Sequence, residues 1–118
     1  MADKIYNNVR AQTAELLLKI SKGQILSGQA VDRLNDNFSA DSRDASLAVN
    51  ILLGSIEKRR LLDHIAEIFS GREISSLDGI TRSILETGLY QILFLDRVPN
   101  SAAVNESVKA AKLLHTEV

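Results

Sequence analysis

The 118-residue chain has no cysteine, which removes disulfides, thiolate metal sites and cysteine nucleophiles together. It has no apolar run long enough to span a bilayer, and Met1-Ala2-Asp3-Lys4 does not begin a signal peptide, so the cytoplasm is the expected location. Positive charge is scarce: 14 Lys and Arg stand against 15 Asp and Glu for a net charge of −1, with a pI near 6.1. Any nucleic-acid contact must then come from a local patch and not from the whole surface. Gly-x-Gly-x-x-Gly, Walker, His-Glu-x-x-His and Gly-x-Ser-x-Gly motifs are all missing, so phosphate cradling, zinc hydrolysis and serine acyl transfer have no starting point. His64 follows Asp63, but adjacent helix residues point apart, and His115 lies far along the chain. Both read as solvent-facing. No catalytic residue, metal site or cofactor is expected, and no membrane contact.

What is present is a soluble, globular balance: 45% apolar and 25% charged residues in a length that fits one domain. No segment alternates apolar and polar residues as an exposed strand would, and there is no internal repeat, low-complexity tract or obvious linker. The chain reads as helix after helix. A first helix from Lys4 to about Ser21 carries Val9, Thr13, Leu16, Leu17 and Ile20 on a single buried face, closed by Lys22-Gly23. Ser27 is placed to cap a second helix reaching Phe38, with Leu26 and Val31 at the spacing of a hydrophobic staple. Asp41 or Ser42 caps a third, bearing Leu47, Ala48, Ile51, Leu52 and Ile56, with Gly54 inside it. Leu61, Leu62, Ile65, Ile68 and Phe69 form a fourth stripe ended by Ser70-Gly71, and Ser75-x-x-Asp78 resembles a capping box for a fifth.

That fifth helix organises the rest. Ile84, Leu85, Leu89, Tyr90, Ile92, Leu93, Phe94 and Leu95 make it apolar around most of its circumference, so other helices must cover it. Gly88 in its middle costs roughly 1 kcal/mol relative to alanine, which implies a close approach by a neighbouring helix. The run stops at Asp96-Arg97-Val98-Pro99, where the only proline disfavours helix at the preceding residue. Asn100 or Ser101 then caps a sixth helix with Ala103, Val104, Val108, Ala111 and Leu114 on one side. The expected fold is all-α, with about six helices.

Gly88-Leu89-Tyr90-Gln91, Val98-Pro99 and Ala102-Ala103-Val104-Asn105-Glu106-Ser107-Val108 resemble the pattern of the NusB-like domain. That domain occurs alone as bacterial NusB and as the N-terminal RNA-binding domain of the RsmB/Sun rRNA cytosine-5 methyltransferases, and these motifs are more similar to the methyltransferase version. Farther back, Gly54, Ile56 and Leu62-Asp63 keep the family's frame, with Glu57 where the pattern usually has arginine. Arg10 with Ala11 and Ala14 is similar to the family's basic start of helix one, although Asn7 and Asn8 precede it where NusB is richer in arginine. The resemblance covers roughly residues 8 to 114 and implies a compact orthogonal helical bundle over residues 1–118, lacking the family's closing helix and any downstream methyltransferase domain with its S-adenosylmethionine chemistry.

Two basic features are candidate RNA contacts. Lys58-Arg59-Arg60 is the only run of three positive charges and suits backbone phosphates; read structurally, it is a solvated helix junction. Lys4 and Arg10 lie near Tyr6, whose ring is of the kind that stacks a base; read structurally, Tyr6 packs on helix two. Asn105 and Glu106 are expected to fix the proline corner. The resemblance implies a non-catalytic module that binds RNA, either rRNA beside a fused methyltransferase domain or a nascent transcript beside a ribosomal protein, as in transcription antitermination. A plain helical scaffold and a homodimer are the alternatives.

Overall fold

The computed structural model describes residues 8–117, and these form six α-helices and one short 3₁₀ turn, with no strand among the described residues. The helices are α1 (Val9–Ser21), α2 (Ser27–Asn37), α3 (Ser42–Glu57), α4 (Arg59–Ser70), α5 (Gly79–Phe94) and α6 (Asn100–Glu117), with the 3₁₀ turn at Ile74–Ser76. The Cα radius of gyration, 13.1 Å, matches the roughly 13.5 Å of a single folded domain of this length.

Local chemistry sets the boundaries. Asn8 caps α1 by accepting from the Ala11 N–H at 2.9 Å, and Asp41 caps α3 by accepting from Arg43 and Asp44. Gly23 and Gly71 take positive φ, 71° and 68°, just past α1 and α4, where a left-handed residue lets the chain leave the helix. Three caps differ from the sequence expectation. Helix α2 begins at Ser27 itself, because the Leu26 N–H is held by the Gln29 side chain at 3.0 Å. The buried apolar residue before it is Ile25, while Leu26 is 73% exposed, so the Leu26–Val31 staple does not form. Helix α5 is capped by Asp78, which accepts from both the N–H and the hydroxyl of Thr81, and not by Ser75. Helix α6 starts one residue early, with the Pro99 carbonyl accepting from Ala103 N–H.

The centre of the bundle is α1, which packs on α2, α3, α5 and α6. The sequence predicts one buried face for it; instead Ala11, Gln12, Thr13, Ala14, Leu16 and Leu17 are all buried. Leu16 and Leu17 join Leu34, Phe38, Ala48 and Leu52 in one core cluster, while Ala11 and Ala14 join Ala110 and Leu114 of α6 in another. Small residues on that side bring α1 and α6 together without a thick layer of side chains. Gly88 does the same between α5 and α6: a Cβ there would lie 3.0 Å from Ser107 Oγ.

Helix α5 departs most from the expectation of an all-round apolar helix. Its buried side is Ser83, Glu86, Thr87, Gly88, Tyr90 and Gln91, and Ile92, Leu93 and Phe94 are exposed. The buried hydroxyls and amide carry partners with them, Thr87 to the Ser83 carbonyl and Gln91 to the Thr87 carbonyl, so burial leaves those groups bonded. Helix α4 likewise buries Leu62 and Ala66 and leaves Leu61, Ile68 and Phe69 exposed.

Candidate nucleic-acid interface

Arg10 sits in the first turn of α1, half-buried, and its Nε donates to Gln91 Oε1 at 3.0 Å. Gln91, with no exposed surface, is itself anchored to the preceding turn of α5 through Nε2. The guanidinium is thus held in one orientation with most of its five N–H donors still free of that bond. Burial lowers the Arg10 pKa, opposed by the charges of Glu106 and Asp44. Those carboxylates partly offset its field. Glu106 also pairs with Lys109 at 3.5 Å, and Asn105 is exposed. Lys4 and Tyr6 lie outside the described residues.

The basic run separates into three directions because α3 ends and α4 begins within it. Lys58 closes α3, and its Nζ lies 5.5 Å from the centre of the Phe94 ring and 4.0 Å from Glu57. Arg59 turns inward, its Nε donating to Glu86 Oε2 at 2.8 Å. Arg60 is exposed and makes no ion pair among the described residues. A phosphate approaching this junction meets Arg60 and Lys58 first; Arg59 is already committed to a carboxylate.

Behind Arg59 is a buried charge cluster that the sequence did not reveal. Glu86 has no exposed surface; Arg82 pairs with Asp63 at 2.8 Å and reaches Glu86 at 3.5 Å. Burial pushes the Glu86 carboxyl up to about 7, helped by its hydrogen bond with Asp63 and opposed by Arg59. Burial alone would raise Asp63 too, but hydrogen bonds from Glu86 and Arg82 outweigh it and hold it below the usual carboxylate range. Glu86 Oε1 and Asp63 Oδ1 are both buried and have no hydrogen-bond partner, a cost that a proton on one of the two carboxyls would lessen. The cluster therefore ties α4 to α5 from within. Only the Arg82–Glu86 spacing of four residues, one helical turn, hints at it in the sequence.

Tyr90 joins α5 to α3 and to the exposed end of its own helix. Its hydroxyl donates to Asn50 Oδ1 at 3.0 Å, and its ring stacks on Phe94 with centroids 5.4 Å apart and planes inclined by 27°. Neither Asn50 nor Phe94 stood out as a site residue in the sequence. On the opposite flank, Leu85, Leu89 and Ile92 of α5 with Val104 and Val108 of α6 line an open apolar groove of about 280 Å³. His64 and His115 are exposed, and no helix is long and apolar enough to cross a membrane among the described residues.

Comparison with known proteins agrees with this architecture. The profile of the NusB family matches residues 7–117. The chain is 33% identical over 102 residues to a probable ribosomal RNA small subunit methyltransferase B from Synechocystis sp., covering 86% of this chain and 23% of that protein. It is 30% identical over 109 residues to the transcription antitermination protein NusB of Ruminiclostridium cellulolyticum, covering 92% of this chain and 75% of that one. The NusB of Beutenbergia cavernae is 29% identical over 102 residues, covering 83% and 67%. The chain thus spans under a quarter of the methyltransferase relative and two thirds to three quarters of these NusB relatives. No solved structure gives a significant match. A six-helix domain matched over residues 7–117 by the family profile and at 30% identity by a NusB of which it covers three quarters belongs to the NusB family.

Proposed function

We propose that the chain is a non-catalytic RNA-binding module, resembling the N-terminal domain of an rRNA cytosine-5 methyltransferase. The observation that carries this reading is the match to a family whose members here are named for rRNA methylation and transcription antitermination. The surface supports it: Arg10 is held at the start of α1 with donors to spare, and Arg60 and Lys58 face outward at the α3–α4 junction. Lys4, Tyr6 and Arg59 complete the proposed contact set, Arg59 by orienting the junction through Glu86. With a net charge of −1, binding depends on these few cations, so it must weaken as salt rises. Titration of a small-subunit rRNA fragment across salt concentrations tests this. Salt-dependent binding that Lys58→Ala with Arg60→Ala weakens supports the reading; binding that is absent, or indifferent to salt and to both substitutions, refutes it.

A second reading, a NusB-type antitermination factor acting through RNA and a ribosomal protein or a second copy of itself, is favoured by the apolar α5–α6 groove, a surface suited to a protein neighbour. The coding sequence after Val118 separates the two readings: a methyltransferase domain supports the first, a stop codon the second.

A further inference from the structure

We propose that the cleft between the first half of α3 and the loop after α5 holds one splayed nucleotide of a single-stranded RNA. The inference rests on the RNA-binding reading and adds a site to it. The cleft, about 560 Å³, runs between Arg43 and Asn50 on α3 and Phe94 and Arg97 at the end of α5. Its elements match the parts of a nucleotide. Phe94 is 39% exposed; its ring stacks on Tyr90 and has Lys58 Nζ 5.5 Å from its centre, so a base that packs on its exposed part displaces that flexible ammonium toward its own phosphate. Asn50 lines the cleft and is held by the Tyr90 hydroxyl on its Oδ1, which leaves its amide N–H groups to donate to a base edge. Arg43 and Arg97 are exposed and make no ion pair among the described residues, and a guanidinium matches phosphate oxygens two at a time. Asp96, the one carboxylate lining the cleft, suits the exocyclic amine of a base.

The cleft also continues the surface that begins at Arg10. Asp44, adjacent to Arg43, is close enough to act on the Arg10 charge, and Gln91, which holds Arg10, follows Tyr90, which holds Asn50. A strand lying on Arg10 therefore reaches the cleft within the same end of the bundle. A duplex keeps its bases stacked and their edges paired, so the site selects single strands.

The test uses the whole 118-residue chain and a short fluorescent RNA of mixed sequence, single-stranded or annealed to its complement. Asn50→Ala and Phe94→Ala are expected to weaken single-strand binding about tenfold each. Arg43→Ala with Arg97→Ala should lower the slope of log K against log salt by about 1.4, or about 0.7 per lost phosphate contact. Arg33→Ala, an exposed cation on α2, should change neither. Because Phe94→Ala also removes a ring contact, the wild-type chain is cross-linked in parallel to 4-thiouridine RNA, with adducts expected on the peptide of residues 94–98. If wild type binds RNA but the cleft variants match it and the adducts fall elsewhere, the cleft is refuted while the RNA reading stands. If duplex binds as well as single strand, the splayed-nucleotide site is refuted. If wild type binds no RNA at any salt, both fall.

Discussion

The ring of Tyr90 fills the space beside Gly54 that a side chain there would need. Helices α3 and α5 meet at this point, and the same ring carries the hydroxyl that fixes Asn50. Gly54→Ala gains roughly 1 kcal/mol of helix propensity but overpacks against a ring pinned by Asn50 and Phe94, a cost of about 1–3 kcal/mol. The net expectation is a loss of about 1 kcal/mol in urea unfolding, with Gly54→Val worse. Gly28→Ala, at a site with nothing within 4 Å, should be neutral or stabilising. If both alanines behave alike, the Tyr90 contact is not what keeps Gly54.

Arg59 and Arg60 are neighbours with opposite duties. Arg59→Ala leaves Glu86 buried without its 2.8 Å partner and, on the alkaline side of 7 where that carboxyl is ionised, should cost on the order of 2 kcal/mol in stability. Arg60→Ala should stay within about 0.5 kcal/mol and show its effect in RNA affinity instead. Glu86→Gln combined with Arg59→Ala should recover part of the loss, because the stranded charge has gone. Equal destabilisation by the two single variants, read by denaturant midpoint at constant slope, would contradict the inward placement of Arg59.

Chain punctuation was legible in the sequence where one residue type solves one backbone problem. Asp41 caps α3, Gly23 and Gly71 leave their helices at positive φ, and Pro99 turns the corner. Burial was less legible. Counting apolar residues placed Leu93 and Phe94 inside and overlooked Ser83, Thr87 and Gln91, because a polar side chain that bonds to a helix carbonyl can be buried with its group satisfied. Of the candidate site, Arg10 is singled out in the sequence by the family resemblance. The grouping of Asn50 with Phe94 is not, because what joins them is Tyr90, 40 residues from Asn50 in the chain.

Asp78 gives a direct check on one corrected boundary. It accepts from the Thr81 N–H at 2.9 Å and from the Thr81 hydroxyl at 2.7 Å, and these bonds hold its carboxyl below the usual range. Asp78→Ala should lose about 1 kcal/mol, the usual worth of an N-cap. Ser75→Ala, in the 3₁₀ turn before it, should lose little. A larger loss at Ser75 would restore the capping box that the sequence alone suggests.

The buried pair on α4 and α5 predicts an unusual pH profile. Glu86 titrates near 7 in the folded chain against an ordinary 4.5, so between those values the folded state holds a proton that the unfolded state has released. Its contribution is complete below about 4.5 and is lost as pH rises through 7. Asp63 has the opposite sign: its depressed pKa contributes above the ordinary carboxylate value and is lost as the solution becomes more acid than that. Stability from the pair should therefore peak on the acid side and fall on the order of 2 kcal/mol between pH 5 and pH 8, since a tenfold difference in proton affinity is worth about 1.4 kcal/mol. Glu86→Gln keeps the shape and removes the titration, so its profile across that interval should be flatter and its stability at the alkaline end at least equal to wild type. Urea midpoints at several pH values decide it: parallel profiles for wild type and Glu86→Gln would mean that Glu86 is ionised in the folded chain throughout, with Arg59 and Arg82 outweighing its burial.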